Sequence, residues 1–182
     1  GLAYFPALGH GAFILKARVQ LLRDLGCAIA PMNAFQLLQG IETLSLRMER
    51  HVSNALAVAQ YLEGHEQVEW VNYAGLPSNQ WHAAAQKYTP KGAGSVLAFG
   101  ITGGAEAGQK FVEALELHSH VANIGDVRSL AIHPASTTHS QLTPAEQSST
   151  GVEPNLVRMS VGIEAIGDII DDINLGFKAA GQ

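Results

Sequence analysis

Arg158 stands in the run Leu156-Val157-Arg158-Met159-Ser160-Val161, a guanidinium among apolar, strand-forming neighbours. Such a group does not settle in apolar company without an anionic partner. Upstream lies a loop dense in hydroxyls, amides and turn residues, His133 to Gln141, preceded by a second strand-like run, Ser129 to Ile132. A cation on a strand facing a loop of this kind is suited to holding a small carboxylate. Each hydrogen bond to a charged partner contributes about 1.5–3 kcal/mol. The plainer alternative is a strand-face arginine paired with a carboxylate of the chain itself, and spacing leaves both open.

Other residues with chemical potential carry weaker patterns. Gly103-Gly104 falls between a strand-like and a helical run, where free backbone N–H groups could meet a phosphate. The pair matches neither the dinucleotide nor the P-loop fingerprint, so a turn before a helix explains it. The histidines raise a metal reading, foremost His118-x-His120 with His133 and His139 downstream. No cysteine cluster or His-Glu-x-x-His spacing accompanies them, and no metal ligand is expected. His118 and His120 read as the polar end of a helix, where imidazolium complements the dipole. Cys27 reads as buried filler with no catalytic role. Glu42, Arg47, Glu49 and Arg50 fit a solvated helix face.

The elements that must position these residues follow from periodicity. Phe13 to Leu25 has helical spacing and Gly26 is its stop. Pro31 then opens a pattern running to about Leu62 with no second proline, read as one long helix bent near Gly40. Its apolar face is Leu37, Leu38, Ile41, Leu44, Met48, Val52, Leu56, Ala59 and Leu62. After Gly64 come a strand over Val68 to Tyr73, a helix from Asn79 to about Tyr88, and a strand from Ser95 to Ile101. A helix from Ala105 to about Leu117, the two strands already described with a polar loop between them, and a helix from Ile163 to Lys178 complete the order. Ile166, Ile169, Ile170 and Ile173 face inward on that last helix. The order β-α-β-α-β-β-α predicts an α+β fold: a long linking helix, then a small four-stranded, mainly antiparallel sheet covered by helices.

Composition narrows the function classes. With 47% hydrophobic and 15% charged residues the 182-residue chain is a globular, core-forming protein. The net charge of −5 with no basic stripe argues against a nucleic-acid partner. No uncharged run is long enough to span a membrane. The single cysteine cannot form an internal disulfide, which suits a cytoplasmic setting. The abrupt apolar start Gly1-Leu2-Ala3-Tyr4-Phe5-Pro6 reads as the cut edge of a longer chain.

Two stretches, Asn123 to Leu142 (N-I-G-D-V-R-S-L-A-I-H-P-A-S-T-T-H-S-Q-L) and Leu156 to Glu164 (L-V-R-M-S-V-G-I-E), resemble the C-terminal region of the Cys/Met-metabolism, pyridoxal-phosphate-dependent enzymes. Pro31 to Ala55 is similar to the long linking helix of that family, and the likeness runs over essentially all 182 residues. It implies that residues 1–50 end the cofactor-binding large domain of a fold-type-I enzyme and begin its linking helix, and that 51–182 form the small C-terminal domain. The implied reaction is a γ-replacement, O-acetylhomoserine plus sulfide giving homocysteine plus acetate. Arg158 would hold the α-carboxylate of the amino-acid substrate, with Asn123 and the backbone N–H of Ile124 completing the clamp. Asn123 stands where many relatives have serine. Thr138 would shape the floor beneath substrate and cofactor.

The same resemblance puts the reactive groups elsewhere. The family's Schiff-base lysine, Gly-rich phosphate turn, ring-stacking tyrosine and pyridine-nitrogen aspartate correspond to positions upstream of Gly1. Lys16, Lys87, Lys91, Lys110 and Lys178 lack the Ser-x-Thr-Lys context of that lysine. Pyridoxal phosphate is therefore expected to serve the complete enzyme and not to bind this chain alone, which carries no catalytic residue. The implied partners are the amino-acid substrate, the preceding cofactor domain, and further copies in a homo-oligomer. Two other readings are a related γ-synthase or γ-lyase, and a non-catalytic packing module whose long apolar helix face lacks cover.

Overall fold

The computed structural model describes residues 3–181 and divides into two compact units, residues 1–44 and 45–182. Gly1, Leu2 and Gln182, which the expected domains 1–50 and 51–182 include, lie outside the described residues.

In the first unit, α1 (Tyr4–Leu8) is followed by α2 (Ala12–Lys16) and α3 (Arg23–Leu25), with a π-helical stretch Ala17–Leu22 between the last two. The expected helix over Phe13 to Leu25 is thus present, widened through its middle. Gly26 stops it at φ 69°, a left-handed value that a residue without Cβ adopts freely. Cys27 falls on the connector that follows and is exposed, contrary to the expectation of a buried thiol, because the helix has already ended. Next, α4 (Pro31–Glu42) begins with proline in its first turn, where a missing N–H goes unnoticed. Its residues Leu37, Leu38 and Ile41 are 59%, 60% and 62% exposed.

The expected single helix is two. Thr43 (φ −106°, ψ 7°) ends α4, and α5 (Leu44–Glu63) follows directly. Gly40 remains inside α4, since glycine in a helix costs only about 1 kcal/mol and does not by itself force a bend. The face that α5 buries is His51, Asn54, Ala55, Val58, Ala59 and Leu62. That line is rotated from the expected one, leaving Val52 and Leu56 half-buried, because buried polar side chains share it with the aliphatic ones.

The second unit is built on a sheet of β1 (Val68–Asn72), β2 (Val96–Ile101), β3 (Leu130–Ile132) and β4 (Leu156–Ser160), in the order β1-β2-β4-β3. All three pairings are antiparallel, so the α+β architecture is as expected. Helices α6 (His82–Tyr88), α7 (Gly104–Glu113), α8 (Pro144–Ser149) and α9 (Ile166–Ala180) complete it. Leu97, Phe99, Ile101, Ala131, Val157 and Met159 point into one core with Val58 and Leu62 of α5, Phe111 of α7 and Ile169, Ile173 and Phe177 of α9. Phe111 meets Phe99 at 5.4 Å and Phe177 at 5.0 Å between ring centroids, both edge-on. Gly103 and Gly104, at φ 101° and 71°, make the turn into α7.

Alternation along β4 sends Arg158 to the sheet face opposite Val157 and Met159. Its register partners are Ala98 on β2 and Ile132 on β3. The stretch expected to be a plain polar loop contains α8, which opens on a capping box: Thr143 and Glu146 each bond the other's backbone N–H. Among the described residues no helix is long and apolar enough to cross a membrane.

Candidate functional site

Arg158 is half-buried on β4, and its Nη2 donates to the carbonyl of Ala122 at 2.8 Å. Among the described residues it makes no salt bridge, so the plainer reading of an arginine paired within its own chain has no partner to stand on. Burial pushes the guanidinium pKa down, with no anion to restore it. One hydrogen bond engages a group with five donors in a rigid fork, a geometry matched to a carboxylate.

The bond to Ala122 draws the segment just before Asn123 against Arg158. Asn123 and Ile124 are exposed, Ile124 by 61% of its surface, and the following Gly125 N–H points to the hydroxyl of Ser160 at 3.4 Å. The structure therefore brings Arg158 together with the 122–125 segment. Thr138 is not joined to them by any hydrogen bond. It lies exposed on the loop after β3, its hydroxyl 2.9 Å from His139 Nδ1. That loop is tied down by His133, whose Nδ1 meets the Ser136 hydroxyl at 2.8 Å and whose Nε2 meets the Pro154 carbonyl at 2.7 Å.

His118 is not a helix-end cation. It lies beyond the end of α7, buried, with Nδ1 2.6 Å from Asp172 Oδ2 on α9. Burial lowers its pKa, only partly opposed by Asp172. Burial pushes the Asp172 carboxyl up, but the hydrogen bonds from the His118 ring and from the N–H groups of Leu117, His118 and Glu116 outweigh it and hold the carboxyl low. The neutral imidazole donates from Nδ1, which leaves Nε2 as a lone pair, and Nε2 is a buried side-chain atom without a partner. A proton added there would find no acceptor among the described residues, which works in the same direction as burial.

Sequence reasoning missed Glu164. Its carboxylate takes the N–H of Ser129 at 2.7 Å and the Ser129 hydroxyl at 3.0 Å, closing the base of the 120–128 loop. The only signal was an acidic residue just past a glycine at the end of the Arg158 strand.

Among the described residues no group of three or more His, Cys, Asp or Glu could hold a metal ion. An apolar groove of about 920 Å³ between α5 and the 89–94 loop is lined by Met48, Glu49, Val52, Thr89, Lys91 and Gly92, none of which belongs to the Arg158 region. Lys16, Lys87 and Lys178 are exposed, Lys91 is exposed on the rim of that groove, and Lys110 is paired with Glu106 at 3.0 Å.

The sequence matches the Cys/Met metabolism PLP-dependent enzymes over residues 8–178, and the chain belongs to that family. It is 59% identical over 168 residues to an O-acetyl-L-homoserine sulfhydrylase of Leptospira meyeri, covering 92% of this chain and 38% of that protein. It is 50% identical to a homocysteine synthase of Schizosaccharomyces pombe, covering 99% of this chain and 42% of that protein. A crystal structure of a putative O-acetylhomoserine (thiol)-lyase from Campylobacter jejuni, bearing N'-pyridoxyl-lysine-5'-monophosphate, superposes with a TM-score of 0.85 at 39% identity, over 94% of this chain and 41% of that one. The chain thus spans about two fifths of the length of these relatives.

Proposed function

We propose that this chain is the C-terminal, substrate-carboxylate-binding part of a pyridoxal-phosphate-dependent γ-replacement enzyme, one that converts O-acetylhomoserine and sulfide to homocysteine and acetate. The observation that carries the reading is Arg158, a half-buried guanidinium with one backbone hydrogen bond, no salt bridge, and a loop drawn up beside it. Arg158 binds the α-carboxylate through its free donors, the N–H of Ile124 and the side chain of Asn123 complete the clamp, and Thr138 borders its floor. Bound cofactor supplies the electron sink for proton removal at the substrate α-carbon. The residues of this chain orient the substrate for that step. The names of the relatives support sulfide as the nucleophile.

The surface position of Lys16, Lys87, Lys91 and Lys178 suits cofactor binding by a further domain and not by this chain alone. The exposed Leu37, Leu38 and Ile41 support cover from that domain and from further copies in a homo-oligomer, and the exposed lone thiol of Cys27 suits a reducing cytoplasm. The test is Arg158→Lys in a full-length protein carrying this chain. Loss of a bidentate charged contact raises the KM for O-acetylhomoserine about 10- to 150-fold and leaves the KM for sulfide unchanged. An unchanged amino-acid KM and kcat would overturn the assignment.

A further inference from the structure

The loop between α7 and β3 leaves the sheet at Ser119 and returns at Ser129, and these ends meet. Ser119 N–H donates to the Ser129 carbonyl at 2.9 Å, and Ala131 N–H donates to the Ser119 carbonyl at 3.1 Å. Between them runs 120–128, the excursion that carries Ala122, Asn123 and Ile124. Its return end is fixed with unusual completeness. Ser129 is fully buried, gives its N–H to Glu164 Oε1 at 2.7 Å and its hydroxyl to Oε2 at 3.0 Å, and accepts the Gly162 N–H at 2.8 Å. Ile163 N–H adds a bond to the Val127 carbonyl at 2.9 Å.

The segment that supplies these partners is itself held from α5. Asn54 Nδ2 donates to the carbonyls of Gly162 at 3.0 Å and Glu164 at 2.9 Å, and His51 Nδ1 lies 2.6 Å from the Val161 carbonyl. Gly162 has no room for a side chain: a Cβ there would come within 2.2 Å of Glu164 Oε2 and 2.5 Å of both Ser129 N and Val127 O. A chain of short polar contacts therefore runs from α5, through the 161–164 turn, to the foot of the 120–128 loop. At the loop's far side, among the described residues, two hydrogen bonds tie it to β4: Arg158 Nη2 on the Ala122 carbonyl and the long 3.4 Å approach of Gly125 N–H to Ser160. Without the foot, Arg158 would have to order the loop and hold a ligand with the same guanidinium.

We propose that Glu164 and Ser129 are positioning residues for the carboxylate clamp. They lock the foot of the loop so that Asn123 and the Ile124 N–H stay beside Arg158 while its remaining donors are left to the ligand. This rests on the reading of Arg158 given above.

The experiment compares Glu164→Gln and Ser129→Ala with Arg158→Lys in a full-length protein carrying this chain, with O-acetyl-L-homoserine and sulfide as substrates and hydrogen exchange of 120–128 as a second readout. Glu164→Gln and Ser129→Ala raise the amino-acid KM about tenfold and leave the sulfide KM within about twofold, and loop exchange speeds up while β2 and β4 keep their protection. Glu164→Asp, which keeps a carboxylate, recovers part of the loss. If Arg158→Lys raises the amino-acid KM and the two foot variants do not, the positioning role is overturned and the carboxylate assignment stands. If Arg158→Lys leaves it unchanged, the assignment fails and the positioning role falls with it. A parallel rise in both KM values with a falling Tm also overturns the inference, since that is general loss of structure. Where Glu164→Gln does not fold, Ser129→Ala decides the question, because it removes one hydroxyl and keeps the Ser129 N–H on Glu164.

Discussion

Replacing Asp172 with alanine removes the one acceptor that four donors share. Oδ1 takes the N–H of Glu116 at 2.7 Å and of Leu117 at 2.9 Å; Oδ2 takes the N–H of His118 at 3.0 Å and its ring Nδ1 at 2.6 Å. These donors are not equivalent. Glu116 and Leu117 are exposed residues whose N–H groups can turn to water, so their share of the loss is small. His118 is buried, and both of its donors would be stranded. At about 1–3 kcal/mol for each buried donor left unpaired, Asp172→Ala costs roughly 2–6 kcal/mol. Asp172→Asn keeps one carbonyl oxygen and loses about half as much, because its amide then opposes the His118 N–H.

Denaturation of a full-length protein carrying this chain reads the total, and hydrogen exchange at 116–119 and Ala131 reads it locally, since Ser119 gives its N–H to the Ser129 carbonyl and accepts the Ala131 N–H just beyond the Asp172 contacts. The expected result is faster exchange across this stretch, greater for alanine than for asparagine. A loss below about 1 kcal/mol with unchanged exchange would show that the carboxylate is not what fixes the exit from α7.

The same pair makes stability fall with acid. Burial, the larger influence, depresses the native His118 pKa below its unfolded value, so this contribution is complete above about pH 6.5 and is lost as the unfolded state takes up protons below it. The depressed Asp172 carboxyl adds a second loss in strong acid, below about pH 3.9 and on through its native pKa. His118→Gln flattens the dependence of Tm on pH between about 7.5 and 5.5, and an unaltered profile would assign the slope elsewhere. Gly176→Ala inserts a Cβ 2.7 Å from two ring carbons of the fully buried Phe111, whose movement is blocked by Phe99 and Phe177. Overpacking of this kind costs about 1–3 kcal/mol, read as a lowered Tm, and a Tm at or above the parent's would mean that the aromatic cluster has slack.

Local signals were legible where periodicity and caps carry them. β2 and β4 were plain from branched and aromatic runs bounded by turn residues, and Gly26 and Gly103-Gly104 from the turns they make. The Thr143-x-x-Glu146 signature of α8 was equally present and was masked by the polar texture around it. The break at Thr43 was not legible, because Gly40 offered a more familiar reason for a bend and helices tolerate glycine. The buried face of α5 was misread for a related cause. His51 and Asn54 look like surface residues until their acceptors, the carbonyls of Val161, Gly162 and Glu164, arrive from far along the chain. His118 and Ser129 share that limit, since Asp172 and Glu164 are brought to them only by the fold.

These distant pairings also sharpen the meaning of Arg158. Buried polar groups around the sheet find specific partners: His51, Asn54, Ser129 and Asp172 are each answered by a carbonyl, a carboxylate or an N–H at hydrogen-bond distance. Arg158 breaks that pattern with one bond and no salt bridge. Burial makes its charge harder to hold, and among the described residues no carboxylate compensates. A carboxylate that reached the free donors would supply the compensation and gain charge-assisted hydrogen bonds in a partly desolvated setting, where they are stronger than at an open surface. A bound carboxylate would relieve that uncompensated burial, while the Glu164 contacts with Ser129 hold the foot of the 120–128 loop.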